Sequence, residues 1–334
     1  YTFAEDNPSK FHGIAPFEKG SGKLIGKNSK DYSKVFGKKI MSLASKNKKI
    51  VGITAAMRDG VGLTDFSKKF PNRFFDVGIA EEHALTFAAG LAKEGMIPFV
   101  AIYSSFYQRG FDQVIHDICL QNLPVIMCVD RAGIVGRDGE THQGLYDMAF
   151  FKLIPNIVIM APKDFKELED MMDFAITLNK PVVIRYPRGG ESAIKLKSTK
   201  LKEGKAELLC EGDDITIIGI GNTVSKAMEV SNLLRKNDIS SEVINTRFLK
   251  PIDSKTIVKS VRKTGRVVVI EDGTIIGGLS SSIKEILLEN RLNVDFKFYA
   301  YPDKFVKHGG VDEIEKKYKM DSESIYDDIM YSKL

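Results

Sequence analysis

The stretch RFFDVGIAEEHALTFAAGLAKEGMIPFVAIYS, residues 73–104, decides the fold. RFFDVGI is an apolar run of strand length. AEEHALTFAAGLAKEG gathers small residues on one helical face and meets Gly95 where a left-handed cap belongs. PFVAIYS is again a strand. Strands this continuously apolar, joined by a helix, predict a parallel pair buried on both faces.

The same alternation runs outward in both directions. Upstream, DYSKVFGKKIMSLASK reads as a helix and IVGIT as a strand, followed by the glycine-rich loop MRDGVG. Downstream come helix FDQVIHDICLQN, strand PVIMCVD, a long polar loop, strand IVIMAP, helix FKELEDMMDFAITL and strand PVVIRYP. The pattern predicts a doubly wound α/β domain with a parallel sheet over residues 30–190. Residues 191–207, rich in Lys, Ser, Glu and Gly, read as a linker, and residues 208–334 as a second, smaller α/β domain running from strand ITIIGIG to strand FKFYAY. Residues 1–29 read as a polar linker entered from a domain upstream, with neither a signal nor a transit peptide.

Composition narrows the functional classes. With 43% hydrophobic and 28% charged residues in 334, the chain falls among soluble globular proteins. No apolar run approaches the ~18 residues of a membrane span, so no membrane partner is expected. The positive excess is local: residues 1–49 hold eleven lysines against four acids, whereas residues 50–334 carry 38 basic against 40 acidic side chains. Without zinc-finger spacing or a basic-aromatic stripe, no nucleic-acid partner is expected either. Cys119, Cys128 and Cys210 lack C-x-x-C spacing, which predicts buried thiols in a reducing cytoplasm and no metal ligands within the chain.

Candidate chemistry gathers where strands end. Gly219 and Gly221 begin a dinucleotide fingerprint, but Val224 stands at its third glycine, so a plain strand-to-helix turn is the better reading. Glu81 and Glu82 open the helix after RFFDVGI. Such a carboxylate can simply complement the helix dipole. It can also be poised for chemistry if Phe74, Phe75, Ile79 and Phe106 desolvate it at the carboxyl edge of the sheet, where open α/β folds bind ligands. The loop DRAGIVGRDGETHQG crowds Asp130, Arg131, Asp138 and His142 among glycines directly after a buried strand, a setting suited to function. Arg131 and Arg188, in DRAG and RYPRGG, follow strands of the same sheet and suit a phosphate or carboxylate.

Taken in order, VGIAEEHALTFAAGLA, AIYSSFYQRGFDQVIHD, DRAGIVGRDGETHQG and RYPRG closely resemble the 1-deoxy-D-xylulose-5-phosphate synthase family of transketolase-like thiamine-diphosphate enzymes, over the whole chain. The resemblance implies a pyrimidine-binding domain followed by a transketolase C-terminal domain, with thiamine diphosphate and Mg²⁺ as cofactors. The diphosphate and metal would be held mainly by an upstream domain whose G-D-G…N signature these residues lack, so the chain alone is expected to be inactive. It implies decarboxylative condensation of pyruvate with glyceraldehyde 3-phosphate to 1-deoxy-D-xylulose 5-phosphate and CO₂, feeding isoprenoid, thiamine and pyridoxal phosphate synthesis, and a homodimer. By the same resemblance Glu81 bonds the pyrimidine ring and activates the cofactor, Phe106 stacks on that ring, and Ile79 packs beneath it. Arg131 and Arg188 take the substrate phosphate, Tyr103 and Arg109 lie on the acceptor side, and Asp138, His142 and the linker residue His12 contact the reacting groups. The alternatives are the β subunit of a 2-oxo acid dehydrogenase, the C-terminal half of a split transketolase, and a catalytically incomplete dimerising fragment.

Overall fold

The computed structural model describes residues 1–6, 8–11, 16–23, 25, 30–196 and 198–332. Two sheets organise it. The first comprises β1 (Ile50–Thr54), β2 (Phe74–Asp76), β3 (Ile97–Tyr103), β4 (Ile126–Asp130), β5 (Val158–Met160) and β6 (Val182–Arg185), and the second begins with β7 (Glu207–Cys210), β8 (Ile215–Gly219) and β9 (Ser241–Asn245). Then follow β10 (Phe248–Lys250), β11 (Arg266–Thr274) and β12 (Asp295–Tyr301).

The first sheet has the order β10-β5-β6-β4-β3-β1-β2. Its six strands from the first half are mutually parallel. Right-handed crossovers then put helices on both faces, the doubly wound arrangement. Strand β1 is followed by its neighbour on one side and β3 by its neighbour on the other, so the loops leaving β1 and β3 diverge. That reversal opens a crevice at the carboxyl ends of the strands. The strands are buried throughout in β1, β4, β5 and β6, as continuous apolar runs require.

The seventh strand comes from the other half of the chain. β10 pairs antiparallel with β5, although its three residues lie beyond the second sheet's β9. Strand periodicity gave no sign of it. Ile244, Phe248, Leu249, Ile257, Leu279 and Ile283 accordingly pack into the same hydrophobic core as the first sheet. The second sheet has the order β12-β11-β8-β9-β7, parallel except for β7. Two terminal helices, Val311–Tyr318 and Ser322–Tyr331, cover its core through Ile314, Ile325 and Ile329.

The N-terminal segment is more than a solvated linker. Thr2–Glu5 and Pro8–Phe11 are helical turns, and the rings of Tyr1, Phe3, Phe11 and Phe17 pack together with centroids 5.1–6.1 Å apart. No helix among the described residues is long and apolar enough to cross a membrane.

Candidate active site

A cleft of about 1220 Å³ lies at the carboxyl edge of the first sheet. Its walls are the segments that leave β1, β2, β3, β4 and β6, which bring Glu81, Ile79, Tyr103, Phe106, Arg109, Arg131, Asp138, His142 and Arg188 around one space. His12 lies outside the described residues. The remaining histidines, His83, His116 and His308, are exposed and do not line the cleft.

Glu81 is the first residue of helix Glu81–Lys93, which has no side-chain cap at Ala80. Only 1% of the residue is exposed. Arg109 Nη1 donates to its Oε2 at 3.3 Å, while Oε1 accepts no hydrogen bond from the described residues. Glu82, by contrast, is exposed in the first turn of the same helix, where a carboxylate complements the helix dipole. The apolar shelter expected of Ile79 is not there, because Ile79 stands 79% exposed on the cleft wall. Arg109, expected on the acceptor side, is engaged with Glu81, its own side chain 57% exposed.

Beyond Glu81 the wall is aromatic and cationic. Phe106 meets the ring of Tyr103 at 5.6 Å and the edge of His142 at 5.3 Å. Thr141 Oγ1 lies 2.9 Å from His142 Nδ1, so a proton exchanged with the cleft would travel through Nε2. The Arg131 guanidinium sits 3.8 Å above the Tyr103 ring and donates through Nη1 to Gly60 O and Asp130 Oδ1, each at 3.1 Å. A Cβ on Gly60 would fall 1.8 Å from the Tyr103 hydroxyl, so only glycine lets the ring reach this guanidinium. Arg188 Nη1 pairs with Asp138 Oδ2 at 2.6 Å.

Asp130 is wholly buried beneath this group and also accepts Ser33 Oγ at 2.7 Å. Burial pushes its carboxyl up to about 6, against the opposing pull of Arg131 and Ser33. Burial likewise raises the Tyr103 phenol. The loop after β1 was read only as glycine-rich, yet Met57, Arg58, Asp59 and Gly60 all face the cleft. Its place after a strand was the signal available. Asp76, at the end of β2, also faces the cleft and braces that loop by accepting Ala56 N–H at 2.7 Å.

A flat aromatic face, an exposed aliphatic side chain and a buried carboxylate with one oxygen unpartnered among the described residues suit a heteroaromatic ring with a basic nitrogen. The donors on the other segments, two guanidiniums and an imidazole, suit an anionic substrate. The chain belongs to the transketolase family. Residues 28–190 match the transketolase pyrimidine binding domain and residues 204–325 the transketolase C-terminal domain.

The relatives sharpen this. The chain is 50% identical over 332 residues to the 1-deoxy-D-xylulose-5-phosphate synthase of Caldanaerobacter subterraneus subsp. tengcongensis, which covers 99% of this chain and 53% of that protein. It is 49% identical to the synthase of Halothermothrix orenii, covering 97% of this chain and 52% of the relative. The chain thus spans about half the length of the curated relatives it matches. Among solved structures, a split gene transketolase described as an inactive beta4 tetramer superposes with a TM-score of 0.81 at 30% identity, covering 91% of this chain and 98% of that one. Transketolase from Campylobacter jejuni gives 0.76 at 17% identity, covering 90% of this chain and 46% of that one, a likeness of fold.

Proposed function

We propose that this chain supplies the pyrimidine side of a thiamine-diphosphate site in a 1-deoxy-D-xylulose-5-phosphate synthase. The reaction is condensation of pyruvate with D-glyceraldehyde 3-phosphate, with loss of CO₂. Residues 30–190 act as the pyrimidine-binding unit and 208–334 as the C-terminal unit. The diphosphate and Mg²⁺ are held mainly by protein outside the matched half. The observation that carries this reading is the convergence of buried Glu81, Phe106, Arg131 and Arg188 on one cleft. The 50% identity to synthases, against 30% to the split transketolase, favours it over a ketose-transferring enzyme. We also place the enzyme in a bacterial cytoplasm as a homodimer, supplying isoprenoid, thiamine and pyridoxal phosphate synthesis.

Thiamine diphosphate, when bound, supplies the electron sink for decarboxylation and carbon–carbon bond formation. The protein's own groups do the rest. Glu81 would hydrogen-bond a pyrimidine nitrogen through Oε1 and exchange a proton with it, Phe106 would present its face to that ring, and Ile79 would pack against it. Arg131, held by Gly60 O and Asp130, and Arg188 donate to the triose phosphate. Asp138 orients Arg188, and His142, fixed at Nδ1 by Thr141, moves a proton at Nε2 toward the acceptor aldehyde. His12 reaches the same groups from the linker.

The test is CO₂ release from pyruvate by the complete enzyme with thiamine diphosphate and Mg²⁺, with and without glyceraldehyde 3-phosphate. Release that requires the triose phosphate and yields the pentulose phosphate is the expected result. Ketose-to-aldose transfer without CO₂, or release indifferent to the triose phosphate, would overturn the proposal. Arg131→Ala and Arg188→Ala should each raise the KM for the triose phosphate about ten- to a hundredfold, the equivalent of roughly 1.5–3 kcal/mol, with the KM for pyruvate unchanged. An unaltered triose phosphate KM in both would remove the phosphate assignment.

A further inference from the structure

We infer that Asp272, a residue of the C-terminal half that lines no part of the cleft, is a positioning residue for the loop carrying Asp138 and His142. The inference rests on the reading that those two residues serve the reaction.

The loop from Arg131 to Gln143 is shaped by its own bonds: Gln143 Oε1 accepts the Val135 and Gly136 amides at 2.9 and 3.3 Å, and Gly139 O accepts those of His142 and Gln143 at 3.0 and 3.1 Å. It leaves β4 with Arg131 at φ +58° and turns at Gly133, Gly136 and Gly139, each near φ +79°. Its regular pairing is a single antiparallel bridge between Gly133 and Gly144. These bonds shape the loop but do not set its place against the rest of the molecule.

The C-terminal half provides that. Asp272, 8% exposed near the end of β11, accepts the Ile134 N–H at Oδ1, 3.1 Å, and Asn222 Nδ2 at Oδ2, 2.9 Å. A Cβ on Gly133 would fall 1.8 Å from that Oδ2, so the carboxylate occupies the space a side chain there would need. The Asp272 carbonyl accepts Arg185 Nη2 at 3.1 Å, which locks the same residue to the end of β6. Ile134 and Leu145 are buried in the core of the second sheet, with Val268 and Ile270 of β11. On the loop's far side the Gly136 carbonyl accepts Gly309 N–H at 3.4 Å, and Leu145 O accepts Thr274 N–H at 3.0 Å. Besides its own bonds and the Arg188–Asp138 pair, the loop carrying Asp138 and His142 is therefore anchored by the other half of the chain.

A backbone amide bonded to a carboxylate is among the stronger hydrogen bonds, and removing the acceptor strands a buried donor. Asp272→Ala should then free the loop without touching the cleft. In the complete enzyme, hydrogen exchange at the Ile134 amide is expected to accelerate about tenfold or more, with the Met127 and Val129 amides of β4 unchanged. The KM for glyceraldehyde 3-phosphate should rise about tenfold while that for pyruvate stays put. Asp272→Asn keeps an oxygen for Ile134 and, with the Asn222 amide turned end for end, a donor facing an acceptor, so it should leave both readouts near the parent, whereas Asn222→Asp sets two carboxylates against each other. The double exchange, Asp272→Asn with Asn222→Asp, restores donor to acceptor and leaves an oxygen for Ile134. It should recover both readouts that Asn222→Asp alone loses.

Faster Ile134 exchange with an unchanged triose phosphate KM, in an enzyme whose Arg131→Ala variant does raise that KM, would overturn the positioning role and leave the site reading standing. A KM unmoved by Arg131→Ala and Asp272→Ala alike would sink the site reading, and this inference with it. A loss confined to the fraction of folded enzyme, with both KM values intact and no recovery in the double exchange, would reduce Asp272 to a structural role.

Discussion

Glu81→Gln should lower turnover of the complete enzyme by about 10²–10⁴-fold while cofactor binding stays within a few-fold of the unaltered protein. The carboxamide has nearly the volume of the carboxylate, so a residue 1% exposed at a helix N-terminus can be replaced without a cavity. Its oxygen can still accept from Arg109, and Arg109, 57% exposed, can otherwise turn to water. What the amide cannot do is exchange a proton with a ring nitrogen. Retained binding with lost turnover would therefore isolate proton traffic from recognition. The comparison is equilibrium cofactor titration against CO₂ release, and turnover within tenfold of the parent would remove Glu81 from the mechanism.

The site was legible because open parallel sheets bind at one edge, and apolar strand runs can be seen in a sequence. Once IVGIT, RFFDVGI, PFVAIYS, PVIMCVD and PVVIRYP are strands, the residues following each of them must converge, and Gly60, Glu81, Phe106, Arg131 and Arg188 do. What stayed hidden depends on partners far apart in the chain. The Glu81–Arg109 pair needs a crossover to close, and nothing in the spacing of 28 residues announces it. Ile79 looked like shelter because it is apolar and adjacent, but the strand's exit turns it outward. β10 is three residues long and antiparallel, too short for any periodicity, and it exists because Phe248 finds a place in a core built by the other half. The two C-terminal helices were legible in principle, since Ile314, Ile325 and Ile329 fall on single buried faces among charged neighbours. Asp272 could not have been found: its importance lies in an amide 138 residues away.

Glu167→Ala should destabilise the protein by about 3–5 kcal/mol, because it breaks a buried charge balance that joins both halves. Lys163, Glu167, Glu207 and Arg247 have side chains no more than 2% exposed. Lys163 Nζ reaches Glu167 at 3.1 Å and Glu207 at 2.9 Å, and Arg247 reaches the same two carboxylates at 2.7 Å each. Thr199, from the connecting segment, accepts Arg247 and donates its amide to Glu207 at 2.6 Å. Two cations and two anions cancel, and Asn245 bridges the carboxylates from β9. Removing Glu167 leaves two buried cations facing one anion, at a point where helix Phe165–Leu178 of the first half meets β7 and Arg247 of the second. Lys163→Met combined with Glu167→Met keeps the Arg247–Glu207 pair neutral, so it should cost distinctly less than Glu167→Ala alone. Chemical denaturation followed by probes in each half gives the measurement. Since the network is the charged joint between them, Glu167→Ala should also split a single transition into two. A loss under about 1 kcal/mol with one coincident transition would show that the shared apolar core around Phe248, and not this joint, makes the halves unfold together.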